Sequence, residues 1–226
     1  MAEKTSLINA PIVFHIGPVP IGLEVLTTWV IMAVLVGVAW YGSRRLSVTR
    51  PGRFQVVLEM AVGFLGDLIR DVMGAEPDTF LPLIGTLFLY IVTCNLSPLL
   101  PGVKPPTASF ETTGALGLIV FCTVHILGVR RRGLVGYLRT YLQPTVIFLP
   151  LNVLGELTRT FALMVRLAGN IMSHELTIAV IIGLVGLLVP IPFMALSILV
   201  GLVQAYIFTI LAAVFIGGAM GTIEKA

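Results

Sequence analysis

The chain has 226 residues, of which 57% are hydrophobic and only 11% are charged, and its formal net charge is +3. Soluble domains carry about 25% charged residues. The composition therefore excludes an ordinary soluble protein and predicts one integral membrane domain with several spans. Basic residues are not interleaved with aromatic ones, which excludes a nucleic-acid-binding surface.

The predicted fold is all-α, with five transmembrane helices and one amphipathic interfacial helix. The elements in chain order are an outer segment 1–22, span 23–43, interfacial helix 54–75, spans 79–99 and 113–129, a long helix 144–189 and a final helix 192–221. The interfacial helix is predicted because its charged residues recur at helical spacing against apolar ones. The beginning of the chain shows no pattern of a cleaved signal peptide.

Two basic stretches predict the orientation. Arginines follow the first span at 44, 45, 50 and 53, and the third span at 130–132 and 139. Since basic loops remain in the cytoplasm, we expect the N-terminus outside and the C-terminus inside. The apolar stretch 144–189 is much longer than the roughly 20 residues of one perpendicular span, so it must tilt, bend or begin along the interface.

Polar residues form one stripe on this long helix. At about 100° per residue, the stripe contains Arg159, Arg166, Asn170, Ser173 and Thr177. Glu175 lies on nearly the opposite face, about 13 Å from Arg166 toward the outside, and Glu156 lies about 15 Å from it toward the cytoplasm. The pattern predicts a cation near mid-membrane with one carboxylate displaced toward each water phase.

An arginine in this position has a limited range of functions. Placing Arg166 at the centre of a span costs about 2.5–3.5 kcal/mol on insertion scales, and its guanidinium does not give up its proton. It is therefore a poor proton carrier and a good fixed barrier. A fixed positive charge also favours the ionised form of a carboxylate that comes close to it.

These motifs resemble subunit a of the F-type ATP synthase membrane sector. The resemblance rests on GELTR, RLAGNIMSHEL, a final span with GLVQAYIFTIL, and the outer loop PPTASFETT, and it covers nearly the whole chain. It implies a steeply tilted helix hairpin that faces a ring of c subunits. It also implies two ion half-channels, in which the site residues are Arg166, Asn170, Glu175, His174, Gln204 and Glu156, with Arg159, Ser173, Glu111 and Ser197 as further candidates.

By this resemblance, Arg166 matches the family's arginine that faces the c ring, Asn170 its polar neighbour, and Gln204 the glutamine of the final span. Glu175 matches the acid of the outer half-channel, and Glu156 resembles the acid of the cytoplasmic path. The sequence departs from the family at His174, where a small residue is common, and at Ser197, where a histidine is common. Ser109 and Glu111 also replace an expected Asp and Asn.

Plainer interpretations exist for most of these residues. Arg166 could form a structural salt bridge, and Glu175 and His174 could reach the outer interface. Asn170 and Gln204 could join two helices by a hydrogen bond, and Glu156 and Arg159, at i and i+3, could form a local ion pair. Glu111 could be a solvated loop charge, and His15 and His125 are interpreted as incidental. Cys94 and Cys122 lack CxxC or histidine spacing, so small core residues are favoured over a disulfide or metal site.

The predicted function is the ion-conducting stator subunit of a rotary ATP synthase, coupling H⁺ or Na⁺ flow to rotation of the c ring. The implied partners are the c ring, the b-subunit stalk and, indirectly, the F1 sector, in a bacterial inner membrane. The chain has no GxxxxGK[ST] nucleotide motif, so we expect a non-catalytic subunit without a cofactor. The alternative is a transporter or channel that works without a c ring. A zinc protease motif HExxH is excluded because position 178 is Ile178.

Overall fold

The computed structural model describes residues 12–16, 19–44, 47, 52–74, 77–99, 103–142, 146–185 and 190–220. A short antiparallel hairpin comes first, with β1 at Ile12–Ile16 and β2 at Val19–Gly22. Six helices follow: α1 Leu23–Arg44, α2 Arg53–Met73, α3 Pro77–Leu96, α4 Phe110–Tyr141, α5 Leu149–Val185 and α6 Pro190–Met220. The sequence did not predict the hairpin.

Five of these helices, all but α2, are long and apolar enough to cross a membrane. This confirms the predicted helical membrane fold. The helix α2 differs from these five because it is amphipathic, with charged residues at helical spacing along it. Its C-terminal half packs against α3 and α6 and buries Leu65, Leu68, Ile69 and Met73. Phe54, Val57 and Met60 of its N-terminal half remain exposed, as suits an interfacial helix.

The core lies among α3, α4, α5 and α6. Its central buried side chains come from all four helices: Ile84, Ile91, Leu116, Val120, Leu163, Leu167, Phe208 and Ile216. The first helix is peripheral, since only Ile31 and Gly42 are buried on it. The long helix α5 therefore has one side in the core and one side turned outward.

The helix α4 extends well past the predicted end of its span at 129. Arginine is a good helix former, so the helix continues through Arg130–Arg132 and breaks only at Gly133, whose φ of 71° and ψ of 161° are non-helical. A second helical piece then runs to Tyr141. The basic stretch that the sequence placed in a loop is thus helical.

Candidate functional site

The outward side of α5 carries the polar stripe that the sequence predicts. Arg159, Arg166, Asn170, Ser173 and Thr177 are all exposed, whereas Leu163, Leu167, Ala168 and Ile171 beside them are buried. Core packing thus orients α5, because these four residues are buried against the rest of the bundle, chiefly α4 and α6. The polar residues are left facing out of the chain.

Arg166 has no hydrogen bond or ion pair within the part of the chain that the structure describes. The structural salt bridge that would explain it without a function is not formed there. Its guanidinium is exposed on the outward side of α5. A positive charge in an apolar region needs an anion or water as a partner, and the arrangement leaves Arg166 open to one from outside the chain.

Asn170 and Gln204 join α5 to α6 directly. Asn170 Nδ2 donates to Gln204 Oε1 over 2.9 Å. Gln204 is only 3% exposed, and its Nε2 has no partner among the described groups. The structure therefore brings Gln204 to Asn170, one helical turn from Arg166, and leaves the buried NH₂ group of Gln204, with its two N–H donors, beside the stripe.

The outer end of α5 carries Glu175 and His174, both half-buried. Neither makes a hydrogen bond or ion pair with another described residue. Glu175 interacts electrostatically with Lys104 and with Glu24. The sequence did not predict that these two residues lie near Glu175. Lys104 immediately precedes the PPTASFETT loop and Glu24 lies in the first turn of α1, and no spacing rule connects either position with α5.

Three of the further candidates lie elsewhere or have a hydrogen-bond partner in their own helix. Glu111, in the first turn of α4, lines an apolar cleft of about 660 Å³ between α1, α3 and α4. Ser197 Oγ donates to the carbonyl of Phe193 in its own helix over 2.9 Å. Ser173 behaves likewise, donating to Gly169 over 2.7 Å. None of the three contacts Glu175 among the hydrogen bonds and ion pairs of the described chain.

The cytoplasmic end of α5, by the predicted orientation, carries Glu156 and Arg159. Arg159 Nη1 lies 3.6 Å from Glu156 Oε2, with the Glu156 side chain 15% exposed and the Arg159 side chain 61% exposed. The guanidinium of Arg159 also lies 5.6 Å from the centre of the Phe215 ring on α6. The plainer local ion pair is therefore formed here, although Glu156 is largely removed from solvent.

A buried polar network that the sequence did not predict fixes the outer loop. Asn95 Nδ2 donates to the carbonyl of Gly201 over 2.8 Å, and Thr107 Oγ1 donates to Asn95 Oδ1 over 2.7 Å. Thr107 is fully buried in the loop turn Pro106–Ala108, which packs against α5. The sequence feature that contains Thr107 is the PPTASFETT motif, which supported the family resemblance but did not predict the network.

No group of three or more His, Cys, Asp or Glu side chains that could hold a metal ion occurs among the described residues. Cys94 is buried and Cys122 is exposed, and both are free thiols. The prediction of a small core residue is therefore confirmed for Cys94 and wrong for Cys122, whose side of α4 is turned away from the core. The chemistry available on α5 is that of two guanidinium cations, two carboxylates, an imidazole and amide groups.

Comparison with known proteins identifies the family. The family model described as "ATP synthase A chain" matches residues 25–217, which include every site residue predicted from the sequence. The chain belongs to the ATP synthase A chain family. Family membership and the five apolar helices make it a multi-pass membrane protein that works with the other subunits of an ATP synthase membrane sector.

Similar proteins cover almost the full length of the chain. "ATP synthase subunit a 2" of a Bradyrhizobium species is 54% identical over 98% of this chain and 99% of its own. "ATP synthase subunit a 1" of Chlorobaculum parvum is 45% identical over 95% of this chain and 96% of its own. "ATP synthase subunit a 2" of Pelobacter propionicus is 47% identical over 93% and 92%. The resemblance stated from the motifs is confirmed.

Proposed function

We propose that this chain is the stator subunit of an F-type ATP synthase and that Arg166 is the fixed charge separating two ion half-channels. The observation that carries the proposal is the exposed guanidinium of Arg166 on the outward side of α5, without a partner in the described chain. An anionic group on a passing rotor would supply the partner. The rotor is a ring of c subunits, each bringing one carboxylate past the stripe.

The guanidinium acts by staying charged. Because it does not release its proton at any working pH, it cannot pass protons from one half-channel to the other. It favours the ionised form of a carboxylate that comes close, so a carrier gives up its ion before it passes. Arg166 thus prevents a direct leak and promotes unloading.

The two carboxylates of α5 suit opposite half-channels. Glu175 is nine residues from Arg166 and Glu156 is ten residues from it in the other direction, which gives about 13 and 15 Å along the helix. Glu175, with His174 beside it, is assigned to the outer path, and Glu156 to the cytoplasmic path. The Asn170–Gln204 bond holds α6 against α5 between these two openings.

The proposal places the chain in a larger machine and membrane. Its partners are the c ring, the b-subunit stalk and, through them, the F1 sector, with no cofactor on this chain. The membrane is the bacterial inner membrane, with the N-terminus outside and the C-terminus in the cytoplasm. The transported ion is H⁺ or Na⁺. Each elementary charge crossing 100 mV supplies about 2.3 kcal/mol, so several ions are needed for each ATP.

The rival function is a transporter or channel that works without a c ring. The family match favours the rotary function, because the relatives are named as subunits of ATP synthase. The two functions differ in one measurable property. The rotary subunit moves ions only when it is assembled with a c ring, whereas the rival moves them alone.

The test uses the whole complex in liposomes, with ATP-driven ion uptake followed by proton- and sodium-sensitive dyes in parallel. We expect Arg166→Ala to abolish uptake or to open a passive leak. The matched control is Arg70→Ala, which removes an exposed arginine that pairs with Asp67 on α2 at 3.7 Å. Normal pumping by Arg166→Ala would overturn the proposal, and uptake by the chain alone would favour the rival.

A further inference from the structure

The end of α4 turns back toward its own body because two glycines permit it. Gly133 adopts a φ of 71°, a left-handed value that other residues rarely adopt. At Gly128, a Cβ atom would overlap the ring of Tyr137, so only glycine allows that ring to lie there. The Tyr137 ring also meets the His125 ring edge-on, with centroids 5.9 Å apart. The position of Tyr137 is therefore closely defined.

Tyr137 is joined to Tyr141, one turn further along. Their hydroxyl oxygens are 2.9 Å apart, and their rings meet edge-on with centroids at 5.3 Å. Each hydroxyl carries one hydrogen, and their shared bond uses only one of the two. The second hydrogen has no acceptor among the described residues, so the pair keeps one donor available.

The carboxylate of Glu156 is a hydrogen-bond acceptor that can use such a donor. The Glu156 side chain is only 15% exposed, and Arg159, its ion-pair partner among the described residues, lies at 3.6 Å, which is longer than the 2.7–2.9 Å of a charge-assisted hydrogen bond. A carboxylate that is partly removed from water is stabilised by additional donors. Both tyrosines lie within electrostatic range of the Glu156 carboxylate.

A backbone contact maintains this arrangement. Asn152 Nδ2, in the first turns of α5, donates to the carbonyl of Tyr141 over 2.8 Å. Glu156 follows Asn152 by four residues, hence about one turn and 6 Å along the same helix. The hydroxyl pair thus belongs to the end of α4 and the carboxylate to the start of α5, and the Asn152–Tyr141 hydrogen bond joins these two segments close to both groups.

We propose that Tyr137 and Tyr141 are positioning residues for Glu156, with the free hydroxyl hydrogen of the pair directed to its carboxylate through one ordered water molecule. A bridging water is nearly as favourable as a direct hydrogen bond. The pair turns the carboxylate toward α4 and opposes its neutralisation by Arg159, the other charged group facing it on α5. Arg132 acts on Tyr137 from the end of the first α4 piece. The inference rests on the proposed role of Glu156 in the cytoplasmic ion path.

The experiment measures ATP-driven uptake by the whole complex in liposomes with F1 outward. The rate is recorded against the external concentration of the ion that the wild type moves. For the double variant Tyr137→Phe with Tyr141→Phe, we expect the half-saturating concentration to change by about two- to tenfold. The maximal rate should change by less than about twofold, because only the binding of the ion is altered.

Two controls distinguish positioning from a general structural defect. Tyr90→Phe removes a hydroxyl that contacts Thr28 at 3.4 Å, away from α5, and should leave half-saturation unchanged. Gly128→Ala displaces the Tyr137 ring and should reproduce the shift with both hydroxyls present. Gly136→Ala, whose added Cβ would meet only Arg132 Cβ at 3.6 Å, should not.

The double variant is also combined with Glu156→Gln. If the tyrosines act through Glu156, they produce no additional shift in that background. Unchanged half-saturation in the double variant, or the same shift in the Glu156→Gln background, would overturn the inference. Arg166→Ala in the same preparation tests the proposed function separately: lost uptake there supports that function whatever the tyrosines do, and normal uptake removes it.

Discussion

Two sets of polar groups lie in the apolar part of this molecule, and they differ in whether they have hydrogen-bond partners within the chain. Around Asn95, every buried group has a partner, because Thr107 donates to the amide oxygen and the amide nitrogen donates to Gly201. On α5, Arg166 on the outward side and the half-buried Glu175 and His174 at the outer end have no hydrogen-bond or ion-pair partner among the described residues. The groups of the first set bond to one another and hold helices together. The second remains available to partners outside the chain.

The comparison yields a rule for membrane proteins of this kind. A paired buried group affects assembly when it is removed, because its partner is left unsatisfied. An unpaired group on α5 affects transport when it is removed, because the fold does not depend on a partner for it. Variants in the two sets should therefore fail in different assays.

The largest effect is expected for Glu175→Gln. The substitution keeps the shape and removes the charge from a residue that has no ion pair with another described residue, so the amount of assembled complex should stay normal. ATP-driven uptake per complex should fall by roughly tenfold or more, since a group that exchanges protons or ions has been lost. The measurements are dye-detected uptake and immunoblotting of the purified complex. Reduced assembly with normal uptake per complex would contradict the comparison.

A smaller effect, on stability and assembly and not on transport, is expected for Asn95→Leu. It leaves the Thr107 hydroxyl and the Gly201 carbonyl buried without partners, at a cost of about 1–3 kcal/mol for each group. The complex should lose thermal stability and yield, while the assembled fraction keeps most of its uptake. The control is Thr93→Val, which removes a hydroxyl bonded only to the carbonyl of Leu89 in its own helix. Equal stability of the two variants would show that the network does not hold the outer loop.

Gly201→Ala should act more weakly on the same network. The new Cβ would lie 3.0 Å from Asn95 Cβ, so α3 and α6 must separate slightly, and we expect a loss of about 1 kcal/mol in stability. Gly218→Ala on the same helix has open space around it and should be neutral or slightly stabilising. Thermal denaturation of the two purified complexes provides the comparison. Similar curves would show that the close approach at Gly201 is not important.

The smallest effect is expected for Arg159→Ala. Its ion pair with Glu156 is long and its side chain is largely exposed, and pairs of that kind contribute about 0–1 kcal/mol. Stability should hardly change, and uptake should remain within about twofold of the wild type. A loss of uptake as large as that of Arg166→Ala would show that Arg159 takes part in ion transport and does not merely pair with Glu156.

The helices and the stripe on α5 could be predicted from sequence because both depend on local periodicity. Apolar residues at helical spacing indicate the buried side, so the exposed positions of Arg166, Asn170 and Ser173 followed. The network of Asn95, Thr107 and Gly201 could not be predicted, since its members are far apart in the chain and meet only in the folded bundle. The proximity of Glu24 and Lys104 to Glu175 has the same origin.

The break at Gly133 was missed for another reason. Three arginines before a glycine are typical of a loop that leaves the membrane, and the sequence was interpreted that way. Arginine also extends helices well, so the chain stays helical until the one residue that readily adopts a positive φ. The consequence was a missed contact between the end of α4 and the next helix, where Asn152 Nδ2 donates to the carbonyl of Tyr141.

The sparse packing of α1 has a consequence for how the chain reaches its final form. With only Ile31 and Gly42 buried, the helix contributes little to the core that α3, α4, α5 and α6 share. Lipid tails are about as apolar as its side chains, so no hydrophobic force drives α1 onto the others. Insertion and docking are therefore separate events for α1. It can enter the bilayer early, remain independent while the later helices associate, and join them last.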